Sequence, residues 1–164
     1  GVAHHGDVQE ITIALLPPLP GEQWSWREVA AELAAYNYRV RIVPDLPAEA
    51  TPEGGLDLAG AWVAHCALEL ATEVGRPPAL LVAQGGAGRM LTALGFAQKA
   101  SRRRVVGYVL VDGDLPKAGV QDWPDAPVTY IGGREAHAAE LRGWDLLDGG
   151  DLAADLRTVV DQSA

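Results

Sequence analysis

Residues 79–96 read ALLVAQGGAGRMLTALGF, and they limit the folds open to this chain more than any other stretch. Ala79 to Ala83 is a short apolar run suited to a strand covered on both faces. Gln84-Gly85-Gly86-Ala87-Gly88 follows, and that density of glycine suits positive φ or close approach of one backbone to another. Met90, Leu91, Leu94 and Ala97 then recur at helical spacing. A buried strand, a sharp turn and a helix with nothing spare between them predict an alternating α/β domain.

The rest of the chain continues that alternation. Glu10 to Leu16 is a β-branched and apolar strand, ended by Pro17-Pro18-Leu19-Pro20-Gly21 because proline cannot donate to a sheet ladder. A helix from about Ser25 to Tyr36 carries Trp26, Val29, Ala30, Leu33 and Ala34 on one stripe. Tyr38–Val43 is the next strand, Ala48–Leu56 a surface loop, and Asp57 an N-cap for a helix reaching Val74 with Leu58, Ala61, Trp62, His65 and Leu68 together. Val105–Val111 and Pro127–Ile131 are strands, Glu135–Leu141 a short helix and Gly143–Leu147 an edge strand. Asp151 caps a final helix, Leu152–Val160. The fold class predicted is α/β, a predominantly parallel sheet of about six strands with helices on both faces; 1–9 is a flexible tail and 10–164 one domain.

Charge and composition exclude several partners. A net charge of -9, from 22 acidic and 13 basic residues, argues against nucleic acid. The basic run Arg102-Arg103-Arg104 falls where a helix should end, and reads as dipole complement and solvated face. Cys66 is the only cysteine, so an internal disulfide is impossible and a cytoplasmic location is the simplest expectation. No apolar run is long enough to span a bilayer, so no membrane partner is expected. No metal or cofactor is expected either: His4 and His5 fall in the tail, and His65 is a lone mid-helix histidine best read as structural.

The strand, turn and helix of 79–96 resemble the nucleophile elbow of the α/β-hydrolase superfamily, G-x-S-x-G, which Ala83-Gln84-Gly85-Gly86-Ala87 matches with Gly85 at the apex. The opening segment is similar to the family as well: a strand, an HG-type loop, a helix beginning near a tryptophan, and a strand ending in Pro44-Asp45-Leu46-Pro47. In the family that first loop supplies one N–H of the oxyanion hole; here Pro17, Pro18 and Pro20 remove three donors and leave Leu19, Gly21 and Glu22, with the Gly86 N–H on the other side. Glu135 stands nearest the place of the triad acid, and Asp151 where the family carries its histidine in a G-G-H loop. The short connection after Val111 leaves no room for a cap domain. The resemblance therefore implies a lid-less member with a degenerate triad, unable to run Ser-His-Asp hydrolysis.

Loops at the carboxyl ends of strands in an open α/β sheet converge on one crevice. Pro18, Trp24, Gln84, Gly85, Gly86, Trp123 and Arg134 are the expected ligand-binding residues. Asp112, Asp114 and Asp151 are the expected acid/base groups, although aspartate beside glycine also serves turns and caps. The function expected is binding of a small carbonyl- or acyl-bearing ligand in a biosynthetic setting, with lyase- or cyclase-like proton transfer if there is turnover. The alternative is a catalytically inactive pseudoenzyme that acts as an interaction module or homodimer.

Overall fold

A computed structural model describes residues 10–53 and 57–163. The tail predicted for 1–9, with His4 and His5, lies outside the described residues, as does the end of the loop at 54–56. Six strands form one sheet: β1 (Thr12–Leu15), β2 (Arg39–Ile42), β3 (Ala79–Gln84), β4 (Val105–Val111), β5 (Val128–Ile131) and β6 (Asp145–Leu147). Their spatial order is β2-β1-β3-β4-β5-β6, and every neighbouring pair is parallel. The helices are α1 (Arg27–Ala35), α2 (Leu58–Ala71), α3 (Leu91–Ala100), α4 (Ala136–Leu141) and α5 (Leu152–Ser163). The connection Asp112–Pro127 contains neither helix nor strand.

Alternation along the strands divides the core in two, because successive side chains point to opposite faces. Ile13, Leu15, Leu80, Val82, Val109, Val111 and Ile131 meet Trp26 just before α1, Leu33 of α1, and Leu156 and Val160 of α5, on one face. Ala14, Leu81, Ala83, Tyr108, Leu110 and Tyr130 meet Trp62, Cys66 and Leu70 of α2 and Leu91 and Leu94 of α3 on the other. With both faces covered, the central strands need continuous apolar sequence, which is what β3 and β4 carry. The sheet grows outward from β1 to β2, then passes back across β1 to β3. The loops after β1 and β3 consequently flank a topological switch point, where open α/β sheets form crevices.

Two local readings are corrected. The buried stripe of α2 is Trp62, Cys66 and Leu70, at i, i+4, i+8; Leu68 faces outward at 67% exposure. Asp57 does occupy the position before α2, but with φ 64 and no side-chain capping bond. Burial pushes the Cys66 thiol far above its ordinary pKa, so it behaves as a small core hydrophobe. His65 donates from Nε2 to the Pro44 carbonyl at 2.7 Å, tying α2 to the loop after β2.

The basic run is corrected more substantially. Arg103 is 4% exposed. Its guanidinium donates to the carbonyls of Pro77 at 2.6 Å and Leu70 at 3.0 Å and to Glu73 at 2.6 Å. Glu73 also accepts from Thr12 at 2.8 Å and Arg39 at 3.1 Å, so one carboxylate ties β1, β2 and the end of α2 to the turn before β4. Only Arg102 and Arg104 are solvated.

Removing Arg103 leaves Glu73 without its buried partner, and breaking such pairs costs about 3–5 kcal/mol. Arg103→Ala is therefore expected to lower urea stability by that order, whereas the exposed Arg104→Ala should stay within about 0.5 kcal/mol. Desolvation pushes the Glu73 carboxyl up, but the bonds from Arg103, Thr12 and Arg39 outweigh it and hold its pKa below the ordinary 4.5. A carboxylate depressed in the folded state contributes stability that is complete above its unfolded pKa and is lost as pH falls through the folded value. A pH series of denaturation midpoints should show that acid loss in the parent and a shallower one in Glu73→Gln.

Candidate functional site

The rim at the carboxyl ends of the strands is held together by glycines. Gly85, at φ +58, turns the chain out of β3 into a short 3-10 segment, Gly85–Met90, that runs into α3. Asp114 N–H donates to the Gly85 carbonyl at 3.0 Å. A methyl on Gly88 would overlap the Asp114 carbonyl oxygen, so the turn after β3 and the exit from β4 lie backbone against backbone. Gly132, at φ +109, likewise has no room for a β-carbon beside the Asp112 carboxylate. The apex predicted at Gly85 is thus a left-handed turn pressed onto its neighbour strand's loop.

The loop after β1 is fixed by two tryptophans reaching it from opposite faces. Trp26 Nε1 donates to the Leu16 carbonyl at 2.7 Å, and Trp62 Nε1 to the Pro17 carbonyl at 3.2 Å. Prolines supply no N–H there, so both acceptors are satisfied by side chains instead of a ladder. Leu19-Pro20-Gly21-Glu22 then closes a β-turn, with Glu22 N–H donating to the Leu19 carbonyl at 3.0 Å and Gly21 at φ +93. Proline followed by left-handed glycine is the signature of a type II turn. It aims the Glu22 carboxylate back into the crevice.

That carboxylate meets two backbone donors. Gly86 N–H donates to Glu22 Oε2 at 2.9 Å, and Leu19 N–H to Oε1 at 3.4 Å. A β-carbon on Gly86 would lie 3.0 Å from Oε2, 3.0 Å from Leu19 Cδ1 and 3.3 Å from a terminal nitrogen of Arg89. Gly86 N–H, expected to face a ligand, and Leu19 N–H, one of the three left in the proline loop, therefore converge from the loops after β3 and β1 on a carboxylate of the same chain. Gly86 N–H is occupied, where the sequence suggested it was open. Of Leu19, Gly21 and Glu22, Leu19 is the donor that reaches this point.

Asp112 and Asp114 are brought together through Arg134. Asp112, at φ 44, accepts from the Arg134 backbone N–H at 3.1 Å. The Arg134 guanidinium lies 3.2 Å from Asp114, and Arg89 lies 3.6 Å from it on the other side. All these charges are partly solvated, so each pair contributes little to stability and orients groups more than it binds them. Tyr130 donates to the Gly113 carbonyl at 3.0 Å and accepts from Glu135 N–H at 3.0 Å, which fixes the loops after β4 and β5. Burial pushes the Tyr130 hydroxyl pKa up, so it keeps the proton this bridge needs.

The other predicted residues divide. Pro18, Leu19 and Glu22 line a cleft of about 480 Å³ with Asp45, Leu46, Thr51 and Glu53. Pro18 and Trp24 line a second groove of about 320 Å³ toward Ile42, where Trp24 stacks edge-on against Trp26 at 5.0 Å. Gln84 ends β3 in extended conformation beside the apex. Trp123 is not on the rim: it packs on Tyr108 at 5.2 Å and Trp144 at 6.1 Å, against the core on the α3 face. Asp151 accepts from Ala154 N–H at 3.1 Å, the cap of α5, and bonds to none of the other predicted site residues. Glu135 is exposed at the start of α4. Sequence reasoning missed the side chains of Glu22 and Arg89; the Pro-Gly turn was the signal for the first, since it returns Glu22 toward Leu19.

Among the described residues, no group of three or more His, Cys, Asp or Glu side chains is placed to hold a metal ion, and no helix is long and apolar enough to cross a membrane. No protein-family model matches the chain, and no curated protein matches it in sequence.

The packing of the rim orders two substitutions. Gly88→Ala forces a β-carbon into the Asp114 carbonyl, and overpacking of this kind costs about 1–3 kcal/mol. Gly85→Ala must hold a left-handed φ, at about 1–2 kcal/mol, with only the movable Glu22 side chain in its way. Urea denaturation should find both destabilised and Gly88→Ala the more so.

Proposed function

We propose that this chain is a minimal, non-hydrolytic α/β-hydrolase-like protein that binds a small carbonyl- or acyl-bearing ligand at the Leu19 and Gly86 N–H groups. The observation that carries this reading is the convergence of those donors, from two loops at a switch point, on one pair of carboxylate oxygens. Paired backbone N–H groups are what a polarised carbonyl or an oxyanion requires. The reversal of strand order between β1 and β3 and the left-handed glycine that follows the central strand support the family reading. So does the absence of a regular element between β4 and β5, where a cap would enter. The cleft bounded by Pro18, Leu19 and Glu22 offers space for the body of the ligand.

In this reading Asp112 and Asp114, on the adjoining loop, are the carboxylates that move a proton in a cyclisation or elimination. Arg134 and Arg89 orient Asp114 and would complement a negative charge formed there. Asp151 serves α5 in this reading.

Gly85 offers no nucleophile at the apex and Asp151 stands where the family carries its histidine, so p-nitrophenyl acetate should be hydrolysed no faster than by buffer with an unrelated protein. Gly85→Ser should remain inactive, since Asp151 cannot act as the missing histidine. Saturable release lost on substitution of Asp112 would show instead that a carboxylate activates water. Ligand binding is tested by a thermal-shift screen of acyl and carboxylate compounds, in which a ligand of the native state raises the Tm. No response to any class, together with a stable dimer by light scattering, would favour the interaction module.

A further inference from the structure

We propose that Glu22 is a built-in occupant of the ligand site, so that the site is selective for carboxylates and is closed to them until Glu22 swings aside. This rests on the reading of the same crevice given above and adds the ligand's charge state and the way entry is controlled.

The chemistry of the occupant points to the class of ligand. Two N–H groups meet the two oxygens of one carboxylate, at 2.9 and 3.4 Å, the geometry of a planar two-oxygen anion against two donors. A guanidinium nitrogen of Arg89 lies 3.3 Å from where a Gly86 β-carbon would be, on the rim of the cradle, while its ion pair is with Asp114. Gly85 and Gly86 have no β-carbon, and this clears the space: a β-carbon on either would come within 3.1 Å of the Glu22 carboxylate.

The placement of Glu22 points to displacement. Glu22 also lines the 480 Å³ cleft, and the displacement proposed is rotation about its side-chain bonds toward that space. One of its two anchoring bonds is long, and the residue is only half-buried. It is tethered four residues into a rigid turn, and a tethered group competes at high effective concentration with a free ligand of the same chemistry. A free carboxylate therefore binds weakly to the parent protein and better once the tethered one is removed.

The test is titration of sodium acetate into the parent protein, Glu22→Gln and Glu22→Ala, followed by the amide resonances of Gly86 and Leu19, with acetamide as the neutral probe. Affinity for acetate is expected to rise at least tenfold from parent to Glu22→Ala, with Glu22→Gln between them and acetamide weaker throughout. Equal acetate affinity in all three, or shifts that spare Gly86, would overturn the proposal. If Glu22→Ala fails to fold, Glu22→Gln decides: affinity no higher than the parent's overturns it. Acetamide moving Gly86 while acetate does not would overturn the carboxylate selectivity and leave the carbonyl-binding reading standing. Silence of Gly86 toward both probes in every variant would remove both.

Discussion

The contact between Gly88 and the Asp114 carbonyl is the constraint on which the rim depends. Backbone lies against backbone there, and the bond from Asp114 N–H to the Gly85 carbonyl closes the same interface. Because β3 and β4 are also paired through Gln84 and Val111, the turn after β3 has no freedom to drift from the exit of β4. This fixes where Gly86 N–H points. The left-handed φ at Gly85 follows from the same requirement, since the chain must reverse within one residue of the strand end.

The other half of the site is fixed by different physics. The proline-rich loop after β1 cannot make ladder bonds, and its buried carbonyls at Leu16 and Pro17 are taken by indoles from the two helical layers. Trp26 and Trp62 thus connect the packing of both cores to the position of Leu19 and Glu22. Two rigid loops, each held by its own set of contacts, bring two N–H groups to one place without any bond between the loops other than through the Glu22 carboxylate. Packing thus positions both donors on one carboxylate. Stability is invested elsewhere, notably in the buried Arg103 and Glu73 pair at the opposite ends of the strands.

Much of the architecture was legible because it is local. β4 spans Val105–Val111 as read, the glycine turn falls after β3, and Asp151 caps the last helix, each from residues close in sequence. The α2 stripe was misread because alanine fills both its faces, so the period could be settled only by where Trp62 was buried. Glu22 and Gly86 are 64 residues apart, and no periodicity reports their bond. Arg103 looked like one member of a solvated basic run, and only the tertiary fold sets three acceptors around it. Trp123 sits in a loop, which suggested the crevice, but Tyr108 and Trp144 offer an aromatic surface that draws it into the core. The density of glycine announced the left-handed turn at Gly85; the side chain that meets Gly86 N–H comes from another loop.

The convergence of donors on Glu22 is tested most directly by amide hydrogen exchange at Gly86, compared between the parent protein and Glu22→Ala. If Glu22 is the acceptor, Gly86 is protected in the parent and loses that protection in the variant, while buried strand amides such as those of Leu81 and Leu110 exchange at unchanged rates. Equal protection of Gly86 in the two proteins, with those strand amides unaffected, would contradict it.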